Sequence, residues 1–268
     1  MKNIAREDVT RMLNKVPEVT LSFWIIKIMA TTVGETAADF LNTHLKLGLS
    51  NTSLLMGGLL IVALAWQLRT RKYIPWIYWV TVVLISIVGT LITDNIIDHF
   101  GVPLHLTTTI FGAALAATFA IWYANERTLS IHSIVTTKRE LFYWAAILFT
   151  FALGTAAGDY LAETLKLGYL YSTLVFGAGI AAVTLAYYAF KLNAILAFWV
   201  AYILTRPFGA SFGDLLSQPS SNGGLGLGTV RTSGLFLVVI FGLIVYMTIA
   251  ESRTALGAAD QPVSPTPT

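Results

Sequence analysis

Residues 33–48 read VGETAADFLNTHLKLG, and residues 153–168 read LGTAAGDYLAETLKLG. Both stretches set acids into otherwise apolar sequence: Glu35 and Asp39 in the first, Asp159 and Glu163 in the second. An ionised carboxylate in apolar surroundings costs several kcal/mol unless it is paired, hydrated or protonated. Its recurrence at one spacing therefore points to a repeated structural unit. Aligned on the acids, one pattern occurs four times: Trp, nine residues, Gly, four residues, Asp. It falls at Trp24, Gly34 and Asp39; Trp79, Gly89 and Asp94; Trp144, Gly154 and Asp159; and Trp199, Gly209 and Asp214.

Composition sets the class. The 268 residues are 56% hydrophobic and 12% charged, with a mean hydropathy of +0.71. A soluble domain carries about 25% charged residues. The runs Leu54 to Trp66, Thr107 to Tyr123, Leu170 to Phe190 and Leu235 to Ala250 are long and nearly uncharged, as membrane spans are. The absence of cysteine excludes a disulfide framework and a thiolate metal site.

A second helix is expected after each Asp. Gly57, Gly112 and Gly177 each follow their Asp by the same interval, and Ser53, Thr108 and Thr173 stand four residues before them. In the fourth unit the loop is longer and Gly234 is the nearest equivalent. Units one and three share LKLG, at Lys46 and Lys166. The expected fold is all-α and integral to the membrane, with eight transmembrane helices as four parallel two-helix repeats in pseudo-twofold halves. The first helices are expected over 21–41, 76–98, 141–162 and 197–216, the second over 51–69, 107–124, 170–190 and 232–250. Residues 1–20 read as a cytoplasmic N-terminal segment, 21–124 as the first half, 125–140 as a cytoplasmic linker, 141–250 as the second half, and 251–268 as a disordered cytoplasmic tail rich in Pro, Ser and Thr.

Lys and Arg are unequally shared between the two sides. Lys2, Arg6, Arg11, Lys15, Arg69, Arg71, Lys72, Arg127, Lys138, Arg139, Lys191 and Arg253 fall on one, and Lys46, Lys166 and Arg231 on the other. The richer side should be cytoplasmic and should hold both termini. Slight overall basicity is thereby accounted for, with no nucleic acid implied. Parallel repeats put the four Trp residues near the cytoplasmic interface and the four Asp residues about 22 Å further along, at 1.5 Å per residue. The glycines fall between, where a small residue lets helices approach.

Four tandem two-helix repeats, each with a Trp, resemble a family of bacterial membrane proteins known only as a repeat of unknown function. The likeness runs over roughly residues 20 to 250. It implies eight spans in the bacterial inner membrane and no established activity.

Function is then argued from the acids. Residues four apart share a helix face, which pairs Glu35 with Asp39, Asp94 with Asp98, and Asp159 with Glu163. Four residues before each Asp stand Glu35, Thr90, Thr155 and Ala210. The fixed cations nearby are Lys27, eight before Glu35, and Arg206, eight before Asp214; Lys27 is read as a counter-ion of Glu35 or as a snorkelling side chain. A substrate or ion path lined by Glu35, Asp39, Asp94, Asp159 and Asp214, with Lys27, Arg206, Thr90 and Thr155, is the leading expectation. Hard oxygen ligands suit Mg, Ca, Mn, sodium or protons, and Glu35, Asp39 and Asp159 are the candidate metal ligands. His44, His99 and His105 lie in the outer loops, where they add candidate ligands or are simply solvated. Trp24, Trp79, Trp144 and Trp199, with Gly34, Gly89, Gly154 and Gly209, are read as structural and interface residues.

The expected function is a transporter or exporter of a small cation, a divalent metal first, with protons as a candidate coupling ion. The alternatives are a carrier of a small organic solute, and a structural or accessory membrane protein whose acids only hold the repeats together. No nucleophile elbow, HExxH or kinase-type motif occurs, so enzymatic activity is not expected. No cofactor is called for beyond a transported or bound cation. The expected partners are the lipid bilayer and a small cation or small-molecule substrate, with no nucleic acid; a homo-oligomer is compatible with the sequence.

Overall fold

A computed structural model describes residues 14–259. Among the described residues it contains eight α-helices and no strand. They are α1 (Leu21–Asp39), α2 (Gly48–Arg69), α3 (Pro75–Asp94), α4 (Leu104–Glu126), α5 (Thr137–Asp159), α6 (Gly168–Phe190), α7 (Ala194–Ser217) and α8 (Thr229–Ala259). Local sequence explains the starts: Thr20 and Thr136 accept from the backbone N–H groups of Phe23 and Arg139, Asn193 caps α7, and Pro75 opens α3.

Seven of these helices are long and apolar enough to cross a membrane. The exception is α1, expected as the first span, because Lys27, Glu35 and Asp39 lower its hydropathy. The tail also differs from expectation. Helix α8 runs on to Ala259 instead of ending near residue 250, and the rest of the expected disordered tail, 260–268, lies outside the described residues, as do Lys2, Arg6 and Arg11.

The helices form two shells. Helices α1, α3, α5 and α7 pack in a closed ring, α1 on α3, α3 on α5, α5 on α7 and α7 back on α1. Each outer helix leans on the inner helix of the next repeat: α2 on α3, α4 on α5, α6 on α7 and, closing the cycle, α8 on α1. The hydropathic windows of α3, α5 and α7 are 50–61% buried, against 11–22% for the four outer helices. Leu54, Ile61, Tyr188, Phe190, Val238 and Phe241 project from the outer shell, as side chains meeting lipid do.

The repeated glycine makes the ring. A Cβ on Gly34 would lie 2.6 Å from Ser86 Cβ, on Gly89 2.6 Å from Phe151 Cβ, on Gly154 2.5 Å from Arg206 Cβ, and on Gly209 2.7 Å from Thr31 Cβ. Each glycine thus faces the residue eight before the Asp of the following repeat, and the fourth faces the first. Absence of a side chain lets the four inner helices come this close.

After the Asp, α1, α3 and α5 each pass into a π-helical turn, Phe40–His44, Asn95–His99 and Tyr160–Thr164. Helix α7 instead stays α-helical to Ser217, with Pro207 inside it. Lys46 and Lys166, in the shared LKLG, take positive φ values of 53° and 56°, and Gly101 holds the same place in unit two at 66°.

The opposite end of the ring is covered by chain before α1. Asn14, Lys15 and Val16 are buried, so this part of the N-terminal segment is docked against the bundle. Lys15 Nζ donates to Glu140 Oε2 at 2.6 Å and to Leu68 O at 3.1 Å, while Gln67 donates to Glu140 Oε1 at 3.0 Å.

Candidate functional site

Stepping back from each Asp by four residues traces a column of side chains into the ring. Four back stand Glu35, Thr90, Thr155 and Ala210; eight back, Thr31, Ser86, Phe151 and Arg206; twelve back, Lys27, Val82, Ile147 and Tyr202; sixteen back, Phe23, Tyr78, Tyr143 and Phe198. All sixteen are buried. The i, i+4 spacing explains this, since it keeps one face of each helix turned to the same neighbours.

These levels touch across the ring. Arg206 Nη2 donates to Glu35 Oε2 at 2.9 Å, to Thr155 Oγ1 at 2.6 Å, and to Thr90 Oγ1. Its Nη1 donates to Thr31 O at 3.5 Å. Thr90 donates to Glu35 Oε2 at 3.3 Å and lies 3.4 Å from the Thr155 hydroxyl. One guanidinium therefore joins groups from all three other inner helices. It also fills the place at which Ala210 carries no polar side chain.

Lys27 is sequestered by aromatic faces. Its Nζ lies 4.2 Å from the Phe151 ring centroid and 4.3 Å from that of Tyr202, and Arg206 Cζ lies 5.5 Å from the same Phe151 ring. Lys27 Nζ has no hydrogen-bond acceptor among the described residues. This corrects both expectations for it: Lys27 is fully buried and so does not snorkel, and Glu35 pairs with Arg206 instead. A hydroxyl pair, Tyr78 with Tyr143 at 2.5 Å, and the Phe23 and Phe198 rings close the column beyond Lys27.

The four Asp residues lie at the other mouth. Asp214 is buried, and Asp39, Asp94 and Asp159 are half-buried. Asp94, Asp159 and Asp214 are each within electrostatic reach of Glu35, and Asp94 and Asp214 also of Arg206. Asp98 and Glu163 are exposed beside them. None of Asp39, Asp94 and Asp159 caps the turn that follows it. Glu35, Asp39 and Asp159 do not come together as metal ligands: among the described residues, no group of three or more His, Cys, Asp or Glu could hold a metal ion. Glu35 is taken by Arg206, and His44 and His99 lie against Phe40 and Phe100.

Three of the repeated tryptophans, Trp79, Trp144 and Trp199, are buried in an aromatic cluster instead of standing at the surface, and Trp24 is half-buried beside Phe23. Trp79 donates to the Tyr73 hydroxyl and Trp199 to Leu129 O. Thr31, Ser86, Phe151 and Tyr202 were not marked out as site residues by the acid pattern. The signal for them was present, as the continuation of the four-residue step from Asp through Glu35, Thr90 and Thr155.

An all-helical chain with seven spans' worth of apolar helix and charge gathered at its centre is of the multi-pass membrane class. The family model "Repeat of Unknown Function (DUF347)" matches residues 22–73, 77–128, 142–193 and 197–253, and the chain belongs to this family. No curated protein and no solved structure matches it.

Proposed function

We propose that this chain is a transporter of a small cation in the bacterial inner membrane, with eight spans, all four repeats entering in one sense, and both termini cytoplasmic. One observation carries the reading: four aspartates, one from each repeat, are gathered at one mouth of a closed helical ring that buries Glu35, Thr90, Thr155 and Arg206 just within it. Intramembrane acids are costly, face bundle interiors, and mark ion and substrate paths. The excess of Lys and Arg at the Trp end supports a cytoplasmic placement for that end, with the acid mouth outside. Although α1 lacks the long apolar window of the other seven helices, Lys27 and Glu35 are buried within the ring, where they need not meet lipid.

The reading in which acids only hold the repeats together has support at Glu35, whose ion pair ties α1 to α7. It has none at Asp94, Asp159 and Asp214, whose carboxylates make no hydrogen bond to the described residues. The test is flux in proteoliposomes, run for protons, sodium, Mg, Ca and Mn, with the wild type beside Asp94→Asn and Asp159→Asn. Flux of one cation, lowered at least tenfold in both variants with the fold intact, is expected. Unchanged flux in the doubly substituted protein would sink the proposal.

A further inference from the structure

Three repeats line the level above the aspartates with polar side chains, Glu35, Thr90 and Thr155. The fourth supplies Ala210, and the place is taken by a guanidinium reaching from one turn away. A carboxylate, two hydroxyls and an aromatic face are the recognition set for a planar organic cation. Within this chain Arg206 supplies that cation.

Its hold is incomplete. Arg206 Nε has no hydrogen-bond partner among the described residues, and neither has Lys27 Nζ, which lies against the same Phe151 ring. Two basic side chains thus share one aromatic ring, while Arg206 alone pairs with the buried Glu35 carboxylate. A buried group that lacks a partner is a cost which another arrangement can relieve. Other acceptors stand near, since Asp94 and Asp214 are both within electrostatic reach of Arg206. The mouth is itself acidic, with Asp98 and Glu163 exposed beside the aspartates, and favours cations at this end of the ring.

We propose that the cradle of Glu35, Thr90, Thr155 and Phe151 is the binding site for a small organic cation, a guanidinium or primary ammonium, that displaces the Arg206 guanidinium toward Asp94 and Asp214. This deepens the transporter reading and rests on it. Arg206 is then a tethered competitor: it holds the site when no substrate is bound and yields to a ligand with the same headgroup. A ligand whose site is occupied this way binds with an apparent affinity lowered by the fraction of time the site is free.

The experiment is thermal unfolding of the full chain in detergent, titrated with methylguanidine and methylammonium at low millimolar concentration against sodium chloride at equal ionic strength. The wild type should show saturable stabilisation by the organic cations beyond that by sodium. Arg206→Ala should respond at concentrations at least tenfold lower, and Glu35→Gln should not respond. Should either variant fail to fold, equilibrium binding of labelled methylguanidine to the wild type, competed by methylammonium and not by sodium, supports the site. A silent wild type overturns it even where Arg206→Ala responds, because the variant alone then has room. Cation flux that depends on Asp94 and Asp159, with methylguanidine neither bound nor competing, overturns this substrate class and leaves the transporter reading standing.

Discussion

Arg206 and Glu35 lie 171 residues apart in sequence and form an ion pair of 2.9 Å, both side chains buried. The pair joins the last inner helix to the first. It therefore closes electrostatically a ring that Gly209 closes sterically against Thr31.

Removal of one partner leaves the other charge buried and uncompensated, which costs about 3–5 kcal/mol. Glu35→Gln and Arg206→Met are each expected to lower stability on that scale. The double substitution should recover much of the loss, since two neutral side chains carry no such penalty. A double-mutant cycle on denaturant unfolding reads this directly. Additive losses would show that the two groups do not depend on one another.

The ring glycines and the outer-helix glycines should respond oppositely to alanine. At Gly89 a Cβ would press on Phe151 Cβ at 2.6 Å and on the backbone N of Ala152 at 3.2 Å, and at Gly154 on Arg206 Cβ at 2.5 Å. Overpacking of this kind costs roughly 1–3 kcal/mol. At Gly57 and Gly58 a Cβ meets nothing within 4 Å, so alanine there should add about 0.5–1 kcal/mol through helix propensity. Unfolding midpoints of Gly89→Ala, Gly154→Ala and Gly57→Ala check the sign at each place.

Much of this arrangement was legible beforehand, and the limits have physical causes. The Trp, Gly and Asp spacing located all four repeats, because a fixed interval between rare residues survives any reading of local propensity. Helix starts came within a few residues, four of them set by Thr20, Pro75, Thr136 and Asn193, whereas the end of α8 lay well beyond the expected one. Closure was not legible: Arg206 lies eight residues from Asp214 in sequence, yet its partner is Glu35, and only ring geometry brings these together. Lys27 looked like a counter-ion because Glu35 is on the same helix, but that interval spans about 12 Å of rise. The π turns left no sequence signal that we recognise. The aromatic partners of Lys27 lay in plain view, at the same four-residue step.

The LKLG segments carry a local cost that unit two avoids. Lys46 and Lys166 sit at φ of 53° and 56°, where Gly101 stands in the second repeat. A left-handed conformation costs a residue with a Cβ roughly 1–2 kcal/mol, and part of that gain is lost to the greater unfolded-state freedom of glycine. Lys46→Gly and Lys166→Gly should each raise stability by up to about 1 kcal/mol, measured as a shift in the unfolding midpoint. A fall at both positions would mean that the lysine side chains contribute more than the strain removes.

The docked N-terminal segment should open separately from the ring. Lys15 and Glu140 form a buried pair at 2.6 Å, with Gln67 completing the carboxylate's partners. The pair fastens the chain before α1 to α2 and α5, at the end remote from the aspartates. Glu140→Gln leaves the Lys15 ammonium without its charge partner, a loss of about 3 kcal/mol or more. Free energy lost at one fastening appears as local opening when the rest of the fold does not depend on it. Trypsin cleavage after Lys15 should then accelerate on the order of a hundredfold in Glu140→Gln, following the opening equilibrium, with the global unfolding midpoint lowered less than in Glu35→Gln. Equal falls in midpoint for the two variants, with no separate cleavage phase, would instead make this segment part of one cooperative unit with the ring, so that any movement at the Trp end would have to pass through the whole bundle.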